Sequence, residues 1–330
     1  MNANRPVGII GTGKYLPERV LTNQELEAIV ETDDEWIVSR TGIQERRIAA
    51  EHQATSDLAY EAAIRALAQA GITAEQLGLI IVATVTPDVM FPSTACILQE
   101  KLGAKQAAAF DLSAACSGFA YGIANGANFI STGMYDYVLV IGAEVLSRMT
   151  DYTDRNTCIL FGDGAGAVVL GPVPEGRGFK AFELGADGGG GALLQGGMVG
   201  GSRYPKEEHL PEGVTHNIWQ NGREVFKFAV RIMDSVTEKL LLKAGKKKAD
   251  IDLLVPHQAN IRIIHSAMEK LELAENQVMI NIHRYGNMSA ATIPVALAEA
   301  VEEGRVKEGD TVILVGFGGG LTWGGALLTW

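Results

Sequence analysis

Two apolar rhythms alternate along the chain. Leu79-Ile80-Ile81-Val82-Ala83-Thr84 is apolar at almost every position, the pattern of a strand covered on both faces. Thr55 to Ala70 instead sets Leu58, Ala62, Ile64 and Leu67 among small and polar residues and stops at Gly71, which predicts an amphipathic helix with a glycine cap. Further strands are predicted at Val7 to Gly13, Ala107 to Asp111, Tyr137 to Ile141 running out at Gly142-Ala143-Glu144, Ile251 to Val255, Thr311 to Gly316 and Leu321 to Trp330. Further helices are predicted at Pro92 to Leu102, Ala120 to Gly133, Gly222 to Lys243 and Asn260 to Lys270, and Thr22-Asn23-Gln24-Glu25 reads as a capped helix start.

The pattern repeats in two halves. Leu79-Ile80-Ile81-Val82 answers Ile251-Asp252-Leu253-Leu254-Val255, and Val138-Leu139-Val140-Ile141-Gly142 answers Val312-Ile313-Leu314-Val315-Gly316. The sharpest break in composition, Gly171-Pro172-Val173-Pro174-Glu175-Gly176-Arg177-Gly178, predicts a boundary between residues 1–172 and 173–330. Two similar halves of alternating strands and helices imply an α/β fold of stacked, parallel-type sheets with helices between and outside them. The glycine-rich stretch from Gly185 to Gly222 predicts a long excursion over an active-site mouth.

Composition narrows the classes. With 47% hydrophobic and 20% charged residues the chain is globular rather than disordered. A net charge of −11 opposes nucleic-acid binding, so an acidic partner would need a local basic patch. Three cysteines fit no zinc spacing and no disulfide framework, which points to free thiols in a reducing compartment. Apolar runs fall short of the roughly 20 residues of a membrane span, and Met1 to Pro6 lacks a signal-peptide core. A cytoplasmic protein with no membrane partner is expected.

Candidate chemistry collects at strand ends. Cys116, in Ala114-Ala115-Cys116-Ser117-Gly118-Phe119, falls where a buried helix begins, so unpaired N–H groups and the helix dipole are expected to hold it partly as the nucleophilic thiolate. Cys96 and Cys158 read as buried structural thiols. Val255-Pro256-His257-Gln258-Ala259-Asn260 puts a histidine just past a buried strand, and Gly286-Asn287-Met288-Ser289 puts an asparagine between a glycine and a helix start. A cysteine, a histidine and an asparagine on three such corners make a candidate reaction centre, though spacing alone does not fix its chemistry. A papain-like protease uses the same residue types, but its cysteine is followed by a tryptophan and this one is not. Trp36 and Arg40, four apart on a predicted helix, could hold a planar heteroaromatic ring. Arg46-Arg47 reads equally as a phosphate site or a solvated face. The glycines of Phe161-Gly162-Asp163-Gly164-Ala165-Gly166 match neither the dinucleotide fingerprint nor the Walker loop.

Taken in order, Gly11-Thr12-Gly13-Lys14-Tyr15-Leu16-Pro17, Asp34-Glu35-Trp36-Ile37, the Cys116 motif, the Gly162 to Ala167 turn, Pro256-His257-Gln258-Ala259-Asn260 and Gly316-Phe317-Gly318-Gly319-Gly320-Leu321 resemble the thiolase-fold condensing enzymes over nearly the full length. The likeness is greatest to the β-ketoacyl-acyl-carrier-protein synthase III family. It implies a five-layered αβαβα fold of two thiolase-like halves and the opening condensation of fatty acid synthesis. Cys116 would take an acyl group from a short acyl-CoA, with the N–H groups of Cys116 and Gly319 as oxyanion hole. His257 and Asn287 would then hold the enolate formed as malonyl-acyl carrier protein loses carbon dioxide. The resemblance also assigns Thr32, Trp36, Arg40, Arg155 and Asn260 to coenzyme A, with Trp36 and Arg40 on either side of the adenine. It assigns Lys227, Arg231, Arg262 and Lys270 to the acyl carrier protein, and Phe91 to closing the partner's acyl pocket in a homodimer. No metal or organic cofactor is implied. Ser117, Arg223, Tyr285 and Met288 depart from the family's usual residues. A degradative thiolase would need a second catalytic cysteine near the C-terminal glycines, where none stands.

Overall fold

The computed structural model describes residues 5–196 and 217–330. Val7–Tyr15 (β1), Leu79–Ala83 (β2), Ala108–Leu112 (β3), Val138–Val145 (β4) and Asp163–Pro172 (β5) form one sheet in the order β1-β5-β4-β2-β3. Gly178–Ala186 (β6), Leu253–Pro256 (β7), Thr311–Gly318 (β8) and Thr322–Thr329 (β9) form a second in the order β6-β9-β8-β7. All strands of the first sheet precede Val173 and all of the second follow it.

The two sheets have one topology. In the first, β1/β5 and β5/β4 are antiparallel and β4/β2 parallel; in the second, β6/β9 and β9/β8 are antiparallel and β8/β7 parallel. Both sheets are therefore mixed, not of the parallel type that the alternation of elements implied. Between β8 and β9 the reason is plain: residues 319–321 are too short for anything but an antiparallel turn, since a parallel return needs a crossover of a dozen residues or more.

Alternate side chains of each strand face different layers. Leu79, Ile81, Val138 and Val140 of the first sheet, with Leu253, Val255, Val312 and Leu314 of the second, bury against two central helices, Gly118–Ser131 and Thr292–Glu302. Ile80, Val82, Leu139 and Ile141 turn the other way onto the outer helix Thr55–Ala70. That helix ends where the pattern predicts, with Gly71 left-handed at φ 67°. Leu254, Ile313 and Val315 likewise turn outward, onto Gly222–Ala244 and Ile261–Leu271. The result is a five-layered αβαβα arrangement, as the resemblance implies. Among the described residues no helix is long and apolar enough to cross a membrane.

Two cysteine expectations part ways. Cys158 is buried, but Cys96 is exposed: in the helix Thr94–Leu102 it is Ala95 and Leu98 that face the core.

The central helices are seated by glycines at two strand ends. A Cβ on Gly142, in β4, would lie 2.1 Å from the carbonyl oxygen of Ala290, and one on Gly316, in β8, 3.1 Å from that of Cys116. Gly142→Ala should therefore lower stability by about 3 kcal/mol, because backbone rather than a pliable side chain must move. Thermal unfolding checks this; an unchanged melting temperature would show that the strand end does not set the spacing.

Candidate active site

Each candidate residue of the reaction centre sits on the last turn before a helix or just past a strand. Ala115-Cys116-Ser117 forms a tight 3-10 turn that leads into Gly118–Ser131, with Ala115 left-handed at φ 45°. Ser117 Oγ meets Thr322 Oγ1 at 2.8 Å, and Thr322 lies 2.9 Å from the carbonyls of both Ala114 and Gly319, so the cysteine turn is tied to the glycine run. The N–H groups of Cys116 and Gly319 have no backbone acceptor among the described residues. A Cβ on Gly318 would stand 2.6 Å from the Cys116 nitrogen, so only glycine allows this approach.

Cys116 is 8% exposed, and burial pushes its thiol up to about 12. This corrects the expectation of a resting thiolate. Desolvation outweighs the favourable helix terminus, and the cysteine waits as a neutral thiol.

His257 extends β7 by donating its N–H to Val315 at 2.8 Å. Its ring is buried, lies edge-on to Phe317 with centroids 5.3 Å apart, and is held neutral by burial, its pKa lowered to about 3. Nδ1 lies 2.6 Å from Thr292 Oγ1, whose hydroxyl also lies 3.1 Å from the Ser289 carbonyl. A hydroxyl has one hydrogen. The carbonyl can only accept, so the two contacts compete for that hydrogen, and the ring tautomer goes with the outcome.

Asn287 is fixed by its backbone, which donates to Leu160 at 2.8 Å and accepts from Gly162 at 3.1 Å. Its side-chain oxygen accepts the Ser289 N–H at 2.8 Å, so the amide NH2 is left to donate. Gln258 joins the two corners: its NH2 donates to Pro256 and Met279, and its oxygen accepts from the N–H groups of Asn281 and Ile282. Neither Thr292, Ser289 nor Gln258 had been singled out, because a residue that aims another leaves no motif of its own.

Cys116, His257 and Asn287 meet at the inner end of a cavity of about 910 Å3 whose wall runs out to Trp36 and Arg40 and includes Arg223 and Asn260. Leu194 to Gly196 and Asn217 to Gln220 line it too, so the flanks of the predicted excursion reach the site; residues 197–216 lie outside the described residues. At the mouth the guanidinium that stands closest over the Trp36 ring is that of Arg155, at 4.2 Å, whereas Arg40 is 5.6 Å away. Residues four apart on one helix lie side by side, so Arg40 stands beside Trp36 on the cavity wall, while Arg155, from another segment and not itself on that wall, stacks on the ring. Asn260 caps the helix Ile261–Leu271 through the Arg262 N–H and donates to the Arg40 carbonyl, so both ends of its amide are engaged. Thr32 is not on the cavity wall.

Of the expected basic contacts, Arg262 lies over Phe226, which lines the cavity, with 5.3 Å to the ring centroid. Lys227 pairs with Glu224 at 2.7 Å and Lys270 with Asp234, while Arg231 is exposed on the same helix as Lys227. Phe91, 87% exposed beside Met90 and Val89, is not on the wall of this cavity.

Known proteins agree with this arrangement. A model of the 3-oxoacyl-[acyl-carrier-protein] synthase III family matches residues 110–188, and a model of that family's C-terminal part matches residues 241–330. β-Ketoacyl-[acyl-carrier-protein] synthase III of Geobacillus kaustophilus is 57% identical over 323 residues, and that of Desulfitobacterium hafniense 56% over 324, each alignment covering 98% of both chains. The crystal structure of 3-oxoacyl-[acyl-carrier-protein] synthase III from Aquifex aeolicus superposes with a TM-score of 0.91 at 48% identity, covering 98% of this chain and 100% of that one. With the cysteine corner and the histidine–asparagine corner each inside a matched segment and the likeness running end to end, the chain belongs to the β-ketoacyl-[acyl-carrier-protein] synthase III family of condensing enzymes.

Proposed function

We propose that the protein joins a short acyl group from acyl-CoA to malonyl-acyl carrier protein, giving β-ketoacyl-acyl carrier protein, CoA and carbon dioxide, the first condensation of fatty acid synthesis. The convergence of Cys116, His257 and Asn287 at the inner end of one cavity carries this reading. In the first half-reaction Cys116 Sγ attacks the thioester carbonyl. The oxyanion falls to the N–H groups of Cys116 and Gly319, neither of which spends its hydrogen on a backbone acceptor among the described residues. The carbon–sulfur bond to CoA breaks and acyl-Cys116 remains.

In the second half-reaction malonyl thioester enters the same cavity and loses carbon dioxide. The enolate oxygen is held by His257 Nε2–H and the Asn287 NH2, both neutral donors, in a water-poor pocket where such bonds are worth more than in water. The enolate carbon attacks acyl-Cys116, and collapse of the tetrahedral adduct frees the cysteine. Each developing charge has a protein donor, so the reaction as written calls on no metal or organic cofactor.

The Trp36–Arg155 stack supports coenzyme binding at the mouth, with Arg40 and Arg223 close by on the wall. Arg262, Arg231 and Lys227 offer the local basic patch that an acidic carrier requires of this acidic chain. The exposed Val89-Met90-Phe91 segment supports a homodimer built on that face. Action in the cytoplasm fits free thiols.

Intact-mass measurement after exposure to acetyl-CoA and, separately, isobutyryl-CoA should show an acyl adduct on the wild type and none on Cys116→Ala, and its discharge by malonyl-acyl carrier protein should yield the β-ketoacyl product. An enzyme left unmodified by every short acyl-CoA would remove the reading. His257→Ala should acylate within a few-fold of wild type yet slow decarboxylation by about a hundredfold or more; equal loss in both half-reactions would take the enolate from His257. Arg155→Ala should raise KM for acyl-CoA by about tenfold, the value of a desolvated cation–π contact, with kcat little changed; an unaltered KM would remove Arg155 from the coenzyme site.

A further inference from the structure

The helix Thr292–Glu302 carries two polar side chains on one face. Thr292, its first residue, stands against the His257 ring, and Glu299 follows about two turns later. Glu299 is 4% exposed, and nothing in the chemistry above uses it. One of its oxygens accepts from the Tyr285 hydroxyl at 2.6 Å, and the other from Asn281 Nδ2 at 2.8 Å and Arg284 Nη2 at 3.0 Å. Donors that converge in this way call for two acceptor oxygens, which a carboxylate has and an amide lacks. Arg284 and Lys14, whose Nζ lies 3.9 Å away, offset its charge. Tyr285 and Asn281 are buried, so without Glu299 neither has water to turn to.

Both buried donors border the reaction centre. Tyr285 ends the short helix Ile282–Tyr285, and only Gly286 separates it from Asn287. Gly286 sits at φ 64° and ψ −159°, a conformation that glycine alone adopts with ease, so the link between Tyr285 and Asn287 is a pivot whose angle the local chain does not fix. Tyr285 supplies the fixed end. The guanidinium groups of Arg47 and Arg284 lie over its ring, 5.8 and 5.0 Å from the centroid, and Glu299 holds its hydroxyl. Asn281, just before the same short helix, gives its backbone N–H to the Gln258 side chain at 3.0 Å, next to His257. Glu299 thus closes a ring of contacts: from His257 through Gln258 and Asn281 to Glu299, then along the helix to Thr292 and back to His257.

We propose that Glu299 is a positioning residue that sets His257 and Asn287 at the spacing the enolate requires, reaching Asn287 through Tyr285 and His257 through Asn281 and Gln258. The inference rests on the condensation reading above. Cys116 and Gly319 stand outside this ring, since the cysteine turn is tied to the glycine run through Thr322 instead. Loss of Glu299 therefore loosens the second half-reaction and spares the first. The effect is large because a misplacement of ~1 Å at a reacting centre costs about a hundredfold in rate. A carboxylate that merely braced the fold would weaken both half-reactions in step.

Single-turnover acylation by acetyl-CoA, read by intact mass, and carbon dioxide release from malonyl-acyl carrier protein, measured on enzyme acylated to completion beforehand, separate the two half-reactions. Tyr285→Phe keeps the ring and removes only the hydroxyl; it should slow carbon dioxide release by about tenfold, with acylation within about twofold of wild type. Glu299→Gln, which turns an NH2 toward other donors, should slow the release by about thirtyfold or more and change acylation by less than about threefold. The double variant should lose no more than Glu299→Gln alone, since both changes break one network. Leu67→Ala, a core truncation in the outer helix and off the cavity wall, should lower the melting temperature yet keep the wild-type ratio of the two rates. Should Glu299→Gln fold poorly, Tyr285→Phe decides by itself. Carbon dioxide release at the wild-type rate by Tyr285→Phe or by a folded Glu299→Gln, an equal fall in both half-reactions, or the same split in Leu67→Ala would overturn the assignment. A wild type that is never acylated removes the condensation reading itself, and the role of Glu299 with it.

Discussion

Everything at the reaction centre depends on two places where a strand carries no side chain. At Gly142 and Gly316 the inward face of each sheet is bare, and the turn that opens a central helix of the opposite half rests on the backbone there. Any Cβ would push those turns away, and interiors packed as tightly as crystals absorb little of such a displacement. Because Gly142 seats the turn that carries Ser289, and Gly316 the turn that carries Cys116, the two halves meet at the cavity's inner end. The nucleophile and its polar partners are thus brought together by packing between halves, and the sheet spacing fixes the site before any hydrogen bond forms.

Hydrogen bonds then aim what packing has placed. His257 and Asn287 are ambiguous groups, the one with two tautomers and the other with two amide orientations. Thr292 holds the imidazole in place, and the Ser289 N–H orients the amide so that its NH2 is left to donate. Burial adds the charge state. An imidazole held neutral and a thiol held protonated put no charge of their own at the site, so the donors are left for the charge that develops on the substrate.

Much of the fold was legible from apolar rhythm because its strands are covered on both faces and its outer helices on one. Thr55–Ala70 ended at Gly71 as its pattern requires, and the likeness of Leu79–Val82 to Ile251–Val255 proved to be one topology used twice, with Leu79 matching Leu253. Sheet direction was not legible, since it depends on how far the chain travels between strands rather than on the strands. Cys116, His257 and Asn287 could be picked out because each stands at a strand or helix end in a short polar motif. The ionisation of Cys116 could not, since it turns on enclosure by distant segments, and neither could the place of Arg155 over Trp36, which joins two remote stretches. Thr292 and Glu144 carry no motif at all; one stands against a ring and the other is wholly buried.

The duplication also explains why one centre is reactive and its counterpart is not. Strand register pairs Leu79 with Val138 and Leu253 with Val312, which makes Gly142 equivalent to Gly316, Glu144 to Gly318 and Ala83 to His257. The helix-opening turns correspond as well: Ala115, at φ 45°, matches Ser289, at φ 47°, so Cys116 answers Ala290 and Gly118 answers Thr292. One half therefore presents His257 against Thr292 where the other presents Ala83 against Gly118, whose Cβ atoms would be in close contact at 3.1 Å. Likewise Gly318 lets the Cys116 nitrogen come close, while at the matching place Glu144 fills the space with a carboxyl. A single backbone plan thus carries a nucleophile with a bare neighbour on one side and an aimed imidazole with a buried acid on the other. Because the turns lie against the opposite half, these unlike corners are brought to one cavity, and the chemistry arises from the asymmetry of side chains on a nearly symmetric frame.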